Sequence, residues 1–171
     1  HLILLKKKSS KKRLTCCDNI VKMYMYVERR RLNMAYISVE DVKMIRNALK
    51  KEMPQYKFSV VRDHHSSVTI SMMKGPAFAE FEYFDRYTHE YKKGTLGNND
   101  GYDQINTYHT GDFYGKENAA IFDKIVKIAK TAGDKKWYDN SDIMTDYFDT
   151  AYYVHLNVGK FEKPYEVVES A

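Results

Sequence analysis

With 171 residues, 43% hydrophobic and 30% charged, the chain has the composition of a folded domain long enough to bury a core, which excludes an intrinsically disordered protein. Its two cysteines, Cys16 and Cys17, are adjacent and build no disulfide framework, so nothing argues for secretion and a reducing cytosol is expected. The net charge of +5 is uneven: residues 1–33 hold ten Lys or Arg against Asp18 and Glu28, net +8, so the residues from Met34 on sum to −3.

In the leader, Lys6-Lys7-Lys8 and Lys11-Lys12-Arg13 suit a nucleic-acid arm making salt-dependent phosphate contacts. The run Leu2-Ile3-Leu4-Leu5 is too short for a signal-peptide core, and no apolar periodicity ties the leader to a fold. A third reading fits better. Arg29-Arg30 can be encoded AGG-AGG, a bacterial ribosome-binding sequence, and Arg31, Leu32 and Asn33 supply the spacing to a start codon at Met34. Residues 1–33 are therefore expected to be a translated upstream region, or otherwise a disordered leader. Residues 34–171 are expected to form a single domain. Nucleic acid is an expected partner only through the leader.

From Met34 the pattern becomes regular. Ser38 with Asp41 three residues later predicts a helix N-cap with a capping-box partner, and Val42, Ile45, Leu49 and Met53 follow at helical spacing up to Pro54. Tyr56, Phe58 and Val60 alternate, as do Val68, Ile70 and Met72, which predicts a half-buried hairpin turning at residues 63–67 and ending at Gly75-Pro76. Over residues 78–91, Phe78, Phe81, Phe84, Tyr87 and Tyr91 fall at helical spacing and Ala79, Phe81 and Tyr83 at strand spacing; length favours a helix. "KKGTLGNNDGYD" predicts a loop and "INTYHT" a short strand. Residues 116–132 predict a second strong helix, with Ile121, Phe122, Ile125, Ile128, Ala129 and Ala132 inward and Gly133 as C-cap. In "TAYYVHLNVG", Tyr152, Val154, Leu156 and Val158 alternate against Tyr153, His155 and Asn157, a strand with one apolar face. The order predicts an α+β fold: a small, mainly antiparallel sheet with two or three helices packed on one face.

The run from Tyr36 to Pro76 resembles the start of the large polyvalent protein associated domain 29 family. The shared positions are Ile45, Arg46, Leu49, Lys50 and Pro54 on the helix, Lys57 to Val60, then Val68, Ile70 and Ser71, and the closing Gly75-Pro76. Ser141 to Val167 is similar to the tail of small phage-type proteins carrying that domain. The sequence departs at "SMMKGP", where the family often places a Trp and an Asp, so no role of that pair is carried over. The resemblance implies a context of phages, conjugative elements and the bacterial host cytoplasm. It implies no activity.

No catalytic, cofactor-binding or nucleophile-elbow spacing is present, so no catalytic residue and no cofactor are expected. His64-His65, His89, His109 and His155 lack chelating spacing and read more simply as solvated or hydrogen-bonding side chains. Asp139, Asp142, Asp146 and Asp149, spaced by three and four, are the weak candidates for a metal, as in a metal-dependent hydrolase; as caps and turn formers they need no ion. The Phe78–Tyr91 stripe lacks the cationic surplus a phosphate groove needs. Tyr153, His155 and Asn157 form the expected interaction face, tyrosines being favoured where area is buried at low entropic cost. A non-enzymatic accessory module that contacts a protein partner of the bacterial host, without a membrane, is the reading these residues favour. A counter-defence role is its sharper form.

Overall fold

Ser38 shows how local chemistry starts the chain's first element. Its hydroxyl accepts the Asp41 N–H at 2.9 Å, and the Asp41 carboxylate in return accepts the Ser38 N–H at 3.3 Å. Two otherwise orphaned donors are thereby satisfied, and α1 runs Val39–Glu52 with Val42, Ile45 and Leu49 buried. The computed structural model describes residues 34–85, 87–97, 102–145 and 148–168. The expected leader of residues 1–33 lies outside them.

After Pro54, β1 (Lys57–Asp63) and β2 (Ser67–Gly75) form the expected antiparallel hairpin. Its tight corner places His64 and His65 at φ 46° and 62°. Later come β3 (Phe81–Asp85), β4 (Glu90–Gly94), β5 (Tyr102–Ile105), α2 (Thr110–Thr131), a 3-10 turn (Ile143–Thr145), β6 (Tyr153–Gly159) and β7 (Glu166–Val167). The main sheet has the order β1-β2-β6-β5, with β7 also against β2. Pairing is antiparallel for β1–β2 and β5–β6, and parallel for β2–β6 and β2–β7. β2 is therefore central, and its Val68, Ile70 and Met72 are fully buried instead of half-buried.

The sheet has one covered face. The rows Val60–Ile70–Leu156 and Phe58–Met72–Val158 follow from the register, and they pack with Ile45 and Leu49 of α1 and Phe122 and Ile125 of α2 in one core. The fold is thus α+β, with both helices on the side of these rows. Gly75 marks a close approach, because a methyl there would overlap the Tyr56 ring and the Tyr165 hydroxyl.

Three expectations are corrected. Residues 78–91 are not a helix: β3 and β4 pair as a hairpin in a separate two-stranded sheet, Phe84 facing Tyr91. The reason lies in α2, whose buried Asn118 accepts the Ala79 N–H at 3.1 Å and donates to the Ala79 C=O at 2.8 Å. These bonds hold the backbone extended, and Phe78 and Phe81 pack onto Phe122 and Tyr114, with ring centroids 5.8 Å apart in both pairs. The expected loop and short strand shift as well: Lys92 and Lys93 belong to β4, and the strand ends at Ile105 instead of running through residues 105–110. The third correction is Gly133. The C-cap of α2 is Ala132, in right-handed geometry, and Gly133 is needed because a Cβ there would lie 2.8 Å from the Asp41 carboxylate. The regular part of α2 does begin after Gly115, whose φ of 73° breaks the preceding turn.

Candidate functional site

Two neighbouring features of β6 offer contacts to other molecules: an uncovered sheet face and a hollow along an uncovered edge. Strand geometry produces the first. Residues opposite in parity to the core rows form the rows Ser59–Ser71–Asn157 and Val61–Thr69–His155. The first row is covered, Ser71 being 2% and Asn157 6% exposed, and the face is open around it. Val61, Tyr102 and Tyr153 are 48%, 40% and 39% exposed, and His155 is exposed beside them. Lys160 follows β6 and reaches Ser59 Oγ on β1 at 2.8 Å, so its stem crosses β2 on this face.

Of the expected interaction face, Tyr153 and His155 reach solvent. Asn157 is only 6% exposed, and its Oδ1 lacks a hydrogen-bond partner. Its contribution is to the floor of the face and not to its contact surface.

The edge arises from strand lengths. β5 pairs with β6 only from Leu156 to Gly159, which leaves Tyr153, Val154 and His155 with an outer side free of β5. The Tyr153 N–H donates inward to Ser66 O at 3.0 Å, so alternation turns the main-chain N–H and C=O of Val154 outward. Beside this edge lies a hollow of about 800 Å³. The 106–109 segment forms one side, steadied by the Asn106 N–H to Tyr114 hydroxyl bond at 3.0 Å. Val126 and Lys130 of α2 form a second side, and Trp137, Asp139, Phe148 and Thr150 a third.

That third wall is tied down by its own hydrogen bonds. Trp137 Nε1 donates to Tyr152 O at 3.1 Å, the Ala151 N–H to Tyr138 O at 2.9 Å, and Thr150 Oγ1 to Tyr138 O at 3.1 Å. Tyr152 fixes the helix behind it, its hydroxyl donating to Ala129 O at 2.7 Å. Burial, and then the Asp41 charge, pushes that hydroxyl up to about 12. Lys130 lies 3.7 Å from the Trp137 ring centre. Burial pulls its ammonium below the usual lysine value, while Asp139 acts in the opposite sense. Neither Lys130 nor Trp137 stood out in the sequence as a site residue; the one available signal was that Trp137 is the chain's sole tryptophan.

The aspartates do local work. Asp139 accepts the Ser141 N–H at 3.1 Å, and Asp142 accepts the Met144 N–H and the Thr145 hydroxyl, both at 3.0 Å. Asp149 donates its N–H to Ser141 Oγ at 3.1 Å, and its Oδ1 has no partner. Asp146 lies outside the described residues. Among the described residues no group of three or more His, Cys, Asp or Glu is placed to hold a metal ion, and no helix is long and apolar enough to cross a membrane.

A family model for the large polyvalent protein associated domain 29 matches residues 37–131, from the entry to α1 through the end of α2. The match takes in the β3–β4 hairpin, where the sequence resemblance was thin, and stops before Ser141 to Val167, so β6 and its contacts lie beyond it. No curated protein and no solved structure matches the chain.

Proposed function

The chain belongs to the large polyvalent protein associated domain 29 family, and from that premise we propose that it is an accessory module of a phage or mobile element. It acts without catalysis, by binding a protein of the bacterial host through the uncovered face of its main sheet. The expected boundary, a leader followed by one domain from Met34, is part of this proposal.

The observation that carries the reading is the one-sided sheet. A face that holds Val61, Tyr102 and Tyr153 in water, beside an exposed His155, keeps aromatic and aliphatic area available for a partner. The rows Ser59–Ser71–Asn157 and Val61–Thr69–His155 contain no Asp, Glu, Lys or Arg, and the charges on this face are Asp63, in the row of Tyr153, and Lys160, which reaches Ser59. A partner matched to these rows is apolar with hydrogen-bonding groups, and its binding depends less on salt than a set of phosphate contacts does. That separates it from the nucleic-acid reading, whose phosphate contacts through the leader weaken steeply with salt.

Capture from bacterial lysate by the immobilised full chain tests this. A protein retained at about 0.5 M salt, where exposed charge pairs are screened, and lost when Val61→Arg places a charge on the face, supports the reading. Equal retention by the variant, or retention of nucleic acid alone, contradicts it.

A further inference from the structure

We propose that the hollow beside the outer edge of β6 binds a small planar organic anion, an aromatic ring carrying a carboxylate or a phosphate, with the Lys130 ammonium receiving its charge. This goes beyond the partner reading and does not depend on it, since such a ligand titrates without any partner present.

Lys130 sits in the last turn of α2, where a cation complements the helix dipole. The Trp137 ring face, 3.7 Å from its Nζ, holds it from one side. Those two contacts leave its three N–H donors without an acceptor among the described residues. Other lysines of the fold are anchored differently. Lys135 donates to the carbonyls of Tyr36 and Ala151 at 3.0 and 3.1 Å, and Lys124 to the carbonyl of Glu52 at 3.3 Å. The Lys130 side chain is only partly buried, so water meets these donors, and an anion entering the hollow replaces that water with a charge-assisted contact. Asp139 does not fill that place: it is exposed, and its carboxylate accepts the Ser141 N–H.

The rest of the hollow sets the ligand's shape. Its volume of about 800 Å³ suits a small molecule. Trp137, Tyr108 and Phe148 supply flat walls, and Val126 and Leu156 apolar ones, which favours a ring. Lys130 and Asp139 are the charged side chains among the lining residues, and His109 already pairs with Asp112 at 3.5 Å, so the attraction for an anion rests on Lys130. An added polypeptide strand fits poorly, because the uncovered edge turns out the main chain of Val154 alone before the 106–109 segment closes the path.

Trp137 makes the test direct, because as the only tryptophan its fluorescence reports this wall alone. The full chain is titrated with benzoate, phenyl phosphate, inorganic phosphate and uncharged benzyl alcohol. Saturable quenching by benzoate or phenyl phosphate, with Kd of about 1 mM or tighter, is expected. Benzyl alcohol is expected to bind at least about tenfold more weakly, the loss of one charge-assisted contact. Lys130→Met abolishes that preference and Lys130→Arg keeps it. The proposal is overturned if no probe gives a saturable change, if benzyl alcohol matches benzoate on the unaltered chain, or if a folded Lys130→Met binds the anions equally well. The comparison of charged with uncharged probes on the unaltered chain stands even if the variant does not fold.

Discussion

Asn118 decides more of this fold than its single place in the sequence suggests. It is 1% exposed, and its amide satisfies the Ala79 N–H and C=O as well as Tyr114 O. Asn118→Ala leaves those main-chain groups without partners, so a loss of about 2 kcal/mol is expected in denaturant unfolding. Asp41 joins two elements in a similar way. Its carboxylate accepts from Ser38 and from the Asp134 N–H at 3.0 Å, so the start of α1 is tied to the segment after α2. Burial pushes this carboxyl up, but the bonds from Ser38, Asp134 and Lys135 together outweigh it and hold the group below its ordinary 3.8. A folded value below the unfolded one adds stability that is complete above the ordinary range and disappears as pH falls through the lower folded value. Asp41→Asn is therefore expected to flatten the acid limb below about pH 4 in a stability profile and to lower stability at neutral pH. The Ser38–Asp41 spacing was legible in the sequence because a capping box is local. The link to Asp134, 93 residues away, has no local signature, nor does the need for Gly133 beside it.

At the level of elements, α1, the β1–β2 hairpin and β6 were readable because their apolar periods match the face each one buries. The β3–β4 segment was not. Its aromatic spacing suits a helix, yet only Phe78 and Phe81 pack against the core, while Tyr87 and Tyr91 are 98% and 76% exposed. The turn explains why the chain reverses there. Asp85 accepts the Tyr87 and Thr88 N–H groups at 2.8 and 3.4 Å, and His89 takes a φ of 54°. The Lys92 ammonium at 2.6 Å, and then the Tyr87 N–H, hold the Asp85 carboxyl down to about 2. A helical stripe would make all five aromatic positions costly to truncate. The hairpin predicts a split instead: Phe78→Ala is expected to lose about 2 kcal/mol or more, and Tyr91→Ala less than about 1 kcal/mol. Thermal or denaturant unfolding of the two variants checks it.

At the scale of the whole molecule, the class of fold followed from the order of elements, but the sheet order did not. Placing β6 between β2 and β5, parallel to β2, requires a long-range pairing that no sequence period records. That placement sets the candidate sites. It aligns His155 with Thr69 and Val61 and Tyr153 with Ser67 and Asp63 across the open face, sinks Asn157 into the floor, and leaves an edge where β5 stops. The alternation that puts Tyr153 and His155 on one side of β6 was thus legible, whereas Lys130 and Trp137 meet only through tertiary structure. The claim that a protein partner covers this face is most directly tested by oxidative footprinting of the chain, alone and with a captured host protein. Protection of Tyr102, Tyr153 and His155, with Tyr87 and Tyr91 labelled equally in both samples, is the predicted result. Protection confined to Tyr87 and Tyr91, with Tyr102, Tyr153 and His155 unchanged, would contradict it.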